Sequence, residues 1–200
     1  MATFTVNSRL QGPITLDTIN RAYLTQDALA VYPVPFEAWY IWDSGARLPN
    51  TSASDDLGFY PGTWASASPI IRTYDVKTLT TTLYARASFA LPPEYDAGET
   101  VTVRFHAGMI TTVAGTSATI DLVLYETDGE AGIGSDLCST AAQSINSLTF
   151  ADKDFTITPT NLIAGDVLDF RVAIAVTDAA TGTAVIGAIG KASFLLDIKG

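Results

Sequence analysis

One histidine and one cysteine set narrow limits on what chemistry this 200-residue chain can do. His106 lies in an alternating stretch, on the face shared by Thr102 and Arg104 and opposite Val101, Val103, Phe105, Ala107 and Met109. A nucleophilic triad needs a base held by a carboxylate and placed beside its nucleophile. No Gly-x-Ser-x-Gly turn accompanies His106, and Cys138 stands in an unrelated loop, where it reads as a small apolar residue. One His and one Cys cannot supply most of a tetrahedral zinc site. Gly132-Ile133-Gly134 has neither a following helix nor a lysine, so it is no phosphate cradle. No catalytic, cofactor-binding or metal-ligating residue is assigned, and the chain is read as a non-enzyme.

Three acidic groups offer hard oxygen ligands: Asp55-Asp56, Asp128-Gly129-Glu130 with Asp136, and Asp152 with Asp154. None follows the spacing of a calcium-binding EF-hand loop, and solvated loop carboxylates are the preferred reading. Asp128 to Asp136 is the first place to look for an ion. Ile41-Trp42-Asp43-Ser44-Gly45-Ala46 resembles the active-site turn of aspartic proteases, in which two such aspartates share a proton. A dimer would have to supply the second one. No glycine-rich flap follows at Arg47-Leu48-Pro49-Asn50, and the nearest apolar-apolar-Gly segment, Val185-Ile186-Gly187, is far away. A dimeric protease through Asp43-Ser44-Gly45 is therefore the weakest of three readings. Trp39, Tyr40, Trp42, Phe59, Tyr60 and Trp64 crowd into one short region and form a candidate contact surface. Exposed rings flanked by polar groups stack sugars; the competing reading makes them core and subunit interface, where Trp and Tyr are enriched.

The elements that would position these residues are strands. Hydrophobic residues make up 48% of the chain and charged residues 16%, which excludes a disordered acidic tail. Net charge −10 with singly scattered basic residues excludes a nucleic-acid partner and an anionic membrane surface. Apolar runs such as Ala38 to Trp42 fall far below the ~20 residues of a membrane-spanning helix, and a soluble chain made without a signal peptide is expected. An apolar, aromatic run at 36–42 and the period-2 alternation that becomes clean after Ser68 give about eight strands: 36–42, 70–76, 82–91, 100–112, 117–127, 153–158, 167–177 and 186–198. Thr3 to Val6 reads as extended and Asp17 to Leu24 as a short helix. The fold class is all-β: an antiparallel β-sandwich of about eight strands, of jelly-roll type, with an irregular N-terminal arm. Residues 1–35 are read as the arm and 36–200 as one domain. Asp43 to Ser68, rich in Gly, Pro, Ser, Asn and Asp, reads as a long loop that is functional or lies against a neighbour. Ala97-Gly98-Glu99 before Val101, Val103 and Arg104 is echoed by Ala164-Gly165-Asp166 before Leu168, Phe170 and Arg171.

The C-terminal part resembles a known group. The stretches Ser117 to Leu122 with Tyr125-Glu126, Ser135 to Gln143, and Ala151 to Phe155 carry the likeness, with Thr158-Pro159, Ala164 to Leu168 and Leu195 to Gly200. These resemble structural proteins encoded among the virion genes of tailed bacteriophages. The resemblance covers roughly residues 80–200 and implies a jelly roll on a phage particle. It implies above all a capsid decoration, or cement, protein: a homotrimer bound to the major capsid protein on the outer capsid surface, synthesised in the host cytoplasm. No catalytic residue carries over. The alternative is a carbohydrate- or receptor-binding β-sandwich module of a phage tail or fibre.

Overall fold

The structure is a computed structural model that describes residues 14–16, 22–24, 28–77, 79–127, 129, 133–178 and 183–198. The chain forms twelve described strands: β1 (Ile14–Leu16), β2 (Ala22–Leu24), β3 (Ala28–Pro33), β4 (Gly58–Tyr60), β5 (Ile70–Arg72), β6 (Leu79–Ala90), β7 (Val101–Ile110), β8 (Ser117–Thr127), β9 (Gln143–Ser144), β10 (Ala151–Ile157), β11 (Val167–Asp178) and β12 (Ile186–Ile198). One sheet has the order β10-β7-β12-β5-β4, with β3 also paired to β12; the other has the order β6-β11-β8-β9. All of these pairs are antiparallel. From β6 onward the chain repeatedly changes sheet, as a jelly-roll-type sandwich does.

Alternation sets which face is buried. Leu168, Phe170, Val172, Ile174 and Val176 of β11 face inward against Val101, Val103, Phe105, Ala107 and Met109 of β7 and its neighbours. Aromatic rings bridge the two sheets: Phe170 meets Phe194 at 5.4 Å between centroids, and within the larger sheet Phe105 meets Phe155 at 5.9 Å. Such tilted and edge-on pairs add to the gain from burial alone. At Gly190 the register of β12 against β7 shifts between Ile189 and Lys191. Before the shift β12 pairs with β5, and after it with β3, so one bulge lets a single strand carry two short neighbours.

Four expectations need correction. Phe36–Ala38 is a 3-10 turn, and Tyr40 makes only isolated bridges, so 36–42 is not a strand. Pro35 caps the turn in extended geometry, and the Ala38 and Trp39 N–H groups donate back to the Pro35 and Phe36 carbonyls at 3.0 and 3.3 Å rather than to a neighbouring strand. Ala22–Leu24 is a strand paired with Ile14–Leu16 rather than the end of a helix. β3, within residues 1–35, joins the larger sheet by pairing with β12 from Ser193 to Ile198. The stretch read as a long loop contains β4, and its Leu57 is fully buried. Thr3 to Val6 lies outside the described residues.

The sequence echo has a structural counterpart. Gly98 and Gly165 both take positive φ, 80° and 97°, where a side chain would be strained. Their corners touch, since Gly98 N–H donates to the Leu162 carbonyl at 3.0 Å and Gly165 N–H to that of Leu91 at 2.9 Å. Each corner feeds a strand flanked on both sides, β7 and β11 respectively. Arg104 and Arg171 therefore hold matching positions on the outer faces of opposite sheets.

Candidate functional site

The outer face of β6-β11-β8 is a cleft whose floor can be read from the register. Across the three strands the outward residues form rows: Ser88–Asp169–Tyr125, Arg86–Arg171–Val123, Tyr84–Ala173–Asp121 and Thr82–Ala175–Thr119. Small residues, Ala173 and Ala175, occupy the middle strand where bulky ones would fill the face. Three adjoining cavities of about 410, 270 and 330 Å³ follow β11 from Val167 to Ala175. The first two share Arg86 and Asp169, and the last two share Val123 and Arg171. That span is about 26 Å at ~3.3 Å per residue.

The stretch before β4 builds one wall. Tyr40 and Arg86 exchange both backbone hydrogen bonds, at 2.8 and 3.0 Å, on the edge of β6. Further along, Tyr84 N–H donates to the Asp55 carbonyl at 2.7 Å and Leu57 N–H to that of Tyr84 at 2.9 Å. This pairing sets Trp42 beside Tyr84, with ring centroids 5.3 Å apart. The Trp42 indole N–H donates to Asp55 Oδ2 at 3.2 Å, which fixes the ring. The Arg171 guanidinium lies 5.1 Å from the Trp42 ring and 4.7 Å from that of Tyr84.

Within the cleft, Asp169 is buried and accepts two hydrogen bonds from Arg86, the Nε–H bond at 2.8 Å. That forked contact raises the Arg86 pKa above its ordinary value. On the wall, burial together with the charges of Asp55 and Asp43 pushes the Asp56 carboxyl up. Its Oδ1 is buried without a hydrogen-bond partner.

The six aromatic residues separate into different roles. Trp39 is 1% exposed and packs edge-on to Phe170 at 5.3 Å, so it belongs to the core and not to a contact surface. Phe59 packs against Phe36 at 5.8 Å beside the core. Tyr60 carries the Arg72 guanidinium over its ring at 3.4 Å and accepts the Ser52 N–H at 3.3 Å. Tyr40 and Trp42 line the cleft. Trp64 is 98% exposed on a tight turn held by Thr63–Ala67 backbone bonds at 2.9 and 3.1 Å. Tyr84, Tyr125, Arg86, Asp169 and Arg171 are cleft residues that the aromatic cluster alone does not reveal. Their signal is the polar parity of β6, β8 and β11.

The remaining candidates find ordinary partners. His106 Nδ1 meets Asp152 Oδ1 at 2.8 Å, and Arg104 bridges to Asp154 with both contacts at 2.6 Å. The His106 hydrogen bond holds Asp152 below the usual carboxylate value. Asp136 Oδ1 accepts the Leu124 and Cys138 N–H groups, each at 3.0 Å; Asp128 and Glu130 lie outside the described residues. Burial raises the Cys138 thiol pKa, which suits an unreactive side chain. Asp43 is exposed in a turn closed by the Ile41 N–H to Ala46 carbonyl bond at 2.7 Å. Among the described residues no cluster of three or more His, Cys, Asp or Glu could hold a metal ion. Among them, too, no helix is long and apolar enough to cross a membrane.

No protein-family model matches the chain, and no curated protein matches its sequence. Solved structures do resemble it. The CBM22-1 xylan-binding domain from Paenibacillus barcinonensis Xyn10C is 10% identical with a TM-score of 0.45, covering 85% of this chain and 95% of that one. The mannan-recognising carbohydrate-binding module TmCBM27 is 16% identical with a TM-score of 0.40, covering 85% and 98%. The xylan-binding module CBM15 is 17% identical with a TM-score of 0.38, covering 84% and 97%.

Proposed function

We propose that this chain is a non-enzymatic carbohydrate-binding module that holds a linear saccharide in the cleft on the outer face of β6-β11-β8. The observation that carries this reading is the pairing of aromatic rings with fixed hydrogen-bonding groups along an open groove. Trp42, Tyr84 and Tyr125 offer apolar faces, and Arg86, Asp169, Asp121 and Thr119 offer donors and acceptors along the same floor. Sugars need both, because their ring faces carry C–H groups and their edges carry hydroxyls. A groove open at its sides suits the middle of a chain rather than a single terminal unit. On a phage tail or fibre, such a module would contact a host surface glycan.

Affinity electrophoresis against a panel of polysaccharides tests this directly. Retardation by one class of glycan, removed by Trp42→Ala and kept by Trp64→Ala, is the expected result. Retardation insensitive to Trp42 would put the binding surface elsewhere.

A second reading keeps the capsid decoration role. Leu29 and Val31 of β3 are 59% and 63% exposed, and Trp64 projects from a charge-free turn. A homotrimer bound to a major capsid protein would use such apolar surface. Light scattering on the purified chain and co-sedimentation with capsids distinguish this role, since the glycan reading requires neither.

A further inference from the structure

Arg171 takes its contacts from aromatic rings rather than from a described carboxylate. Its partner across the β6–β11 ladder is Arg86, a like charge directly opposite, and such pairs are destabilising. Asp169 neutralises Arg86 through a two-point contact, and Asp169 sits opposite Ser88, one row away. No described carboxylate pairs with Arg171. Its positional counterpart on the other sheet, Arg104, is held by both Asp154 and Asp152. The chain carries 21 acidic residues against 11 basic ones, so partners are not scarce.

Two described carboxylates of the cleft and its wall have other partners. Asp55 accepts the Trp42 indole N–H, and Asp121 accepts the Leu122 N–H at 2.9 Å. Arg171 instead lies against Trp42 and Tyr84, where two cavities meet. Contact with ring faces leaves N–H donors of a guanidinium available. Its planar fork matches the two oxygens of a carboxylate.

We infer that Arg171 receives the carboxylate of an acidic sugar, so that the saccharide held in this cleft contains uronic acid units. The inference rests on the carbohydrate-binding reading and narrows it to one chemical class. Arg171 supplies the charge-assisted contact, and Trp42 and Tyr84 hold it in place.

Calorimetry on the full chain with matched ligands tests it. Polygalacturonate and its methyl ester share a backbone and differ in the carboxylate; unsulfated hyaluronate, alginate, neutral xylan and mannan, and a sulfated neutral glucan complete the set. At least one uronate polymer should bind about tenfold or more tightly than the neutral chains, the ratio that ~1.4 kcal/mol of charge-assisted bonding gives. Where that polymer is polygalacturonate, its ester should lose the advantage. Arg171→Gln should erase the preference without lowering the melting temperature. Equal or better binding of neutral chains, or binding of the sulfated glucan alone, overturns the uronate assignment and leaves the module reading standing. Binding to none of the polymers overturns the module reading itself.

Discussion

At the scale of single residues, two tryptophans of one sequence cluster have opposite fates. Trp39 fills the core between Phe105 and Phe170, at 6.3 and 5.3 Å. Replacing it with alanine should cost about 3–5 kcal/mol, the usual loss for a large buried aromatic. Trp64→Ala should stay within about 0.5 kcal/mol, as surface substitutions do. Denaturant melts of the two variants check both values. Asp56 makes a second residue-scale prediction. Its raised pKa means that ionisation in the folded state is penalised, so stability falls as pH rises from the ordinary value of 3.8 through the folded one. Asp56→Asn should therefore raise the melting temperature at neutral pH. The gain should vanish in acid, where Asp56 is protonated in both states.

At the scale of elements, the ion-paired ladder between β7 and β10 responds to pH in the opposite direction. Asp152 is held below 3.8 chiefly by the His106 hydrogen bond, with Arg104 adding its charge. Its contribution is complete above 3.8 and is lost as pH falls through the depressed folded value. The melting-temperature difference between the wild type and Asp152→Asn should narrow as pH falls below 3.8. A difference that persists in acid would show that the pairing contributes nothing through charge. Elements with long alternation, β6, β7, β8, β10, β11 and β12, are legible in the amino-acid sequence because one buried face imposes period 2. β4 is not, since three residues between turn formers carry no period. The strand expected at 36–42 is absent because the Ala38 and Trp39 N–H groups close a turn instead of joining a ladder. The cleft is half legible. Parity puts Tyr84, Arg86, Asp169 and Arg171 on outward faces, and Trp42 stands out as an aromatic. Only the strand order β6-β11-β8, which joins segments distant in sequence, brings them to one floor.

At the scale of the whole molecule, the two sheets divide the work. The larger sheet gathers its outward charges into pairs, Arg104 with Asp154 and Asp152 with His106. On the smaller sheet, small floor residues, rings and a guanidinium that no described carboxylate pairs line a groove. Net charge −10 makes that local guanidinium the more distinctive. Long-range attraction cannot bring in an anionic chain, so contacts inside the cleft must select it. The alanines of the floor offer the most direct measurement. Ala173→Leu adds bulk to the centre of the groove without touching the inward face of β11. Glycan affinity and melting temperature of this variant should be measured together with those of the wild type. The wild type is expected to bind a polysaccharide, and the variant to lose that binding at least tenfold with its fold intact, a loss of ~1.4 kcal/mol. Unchanged affinity in a folded Ala173→Leu would contradict the assignment of the cleft as the binding surface.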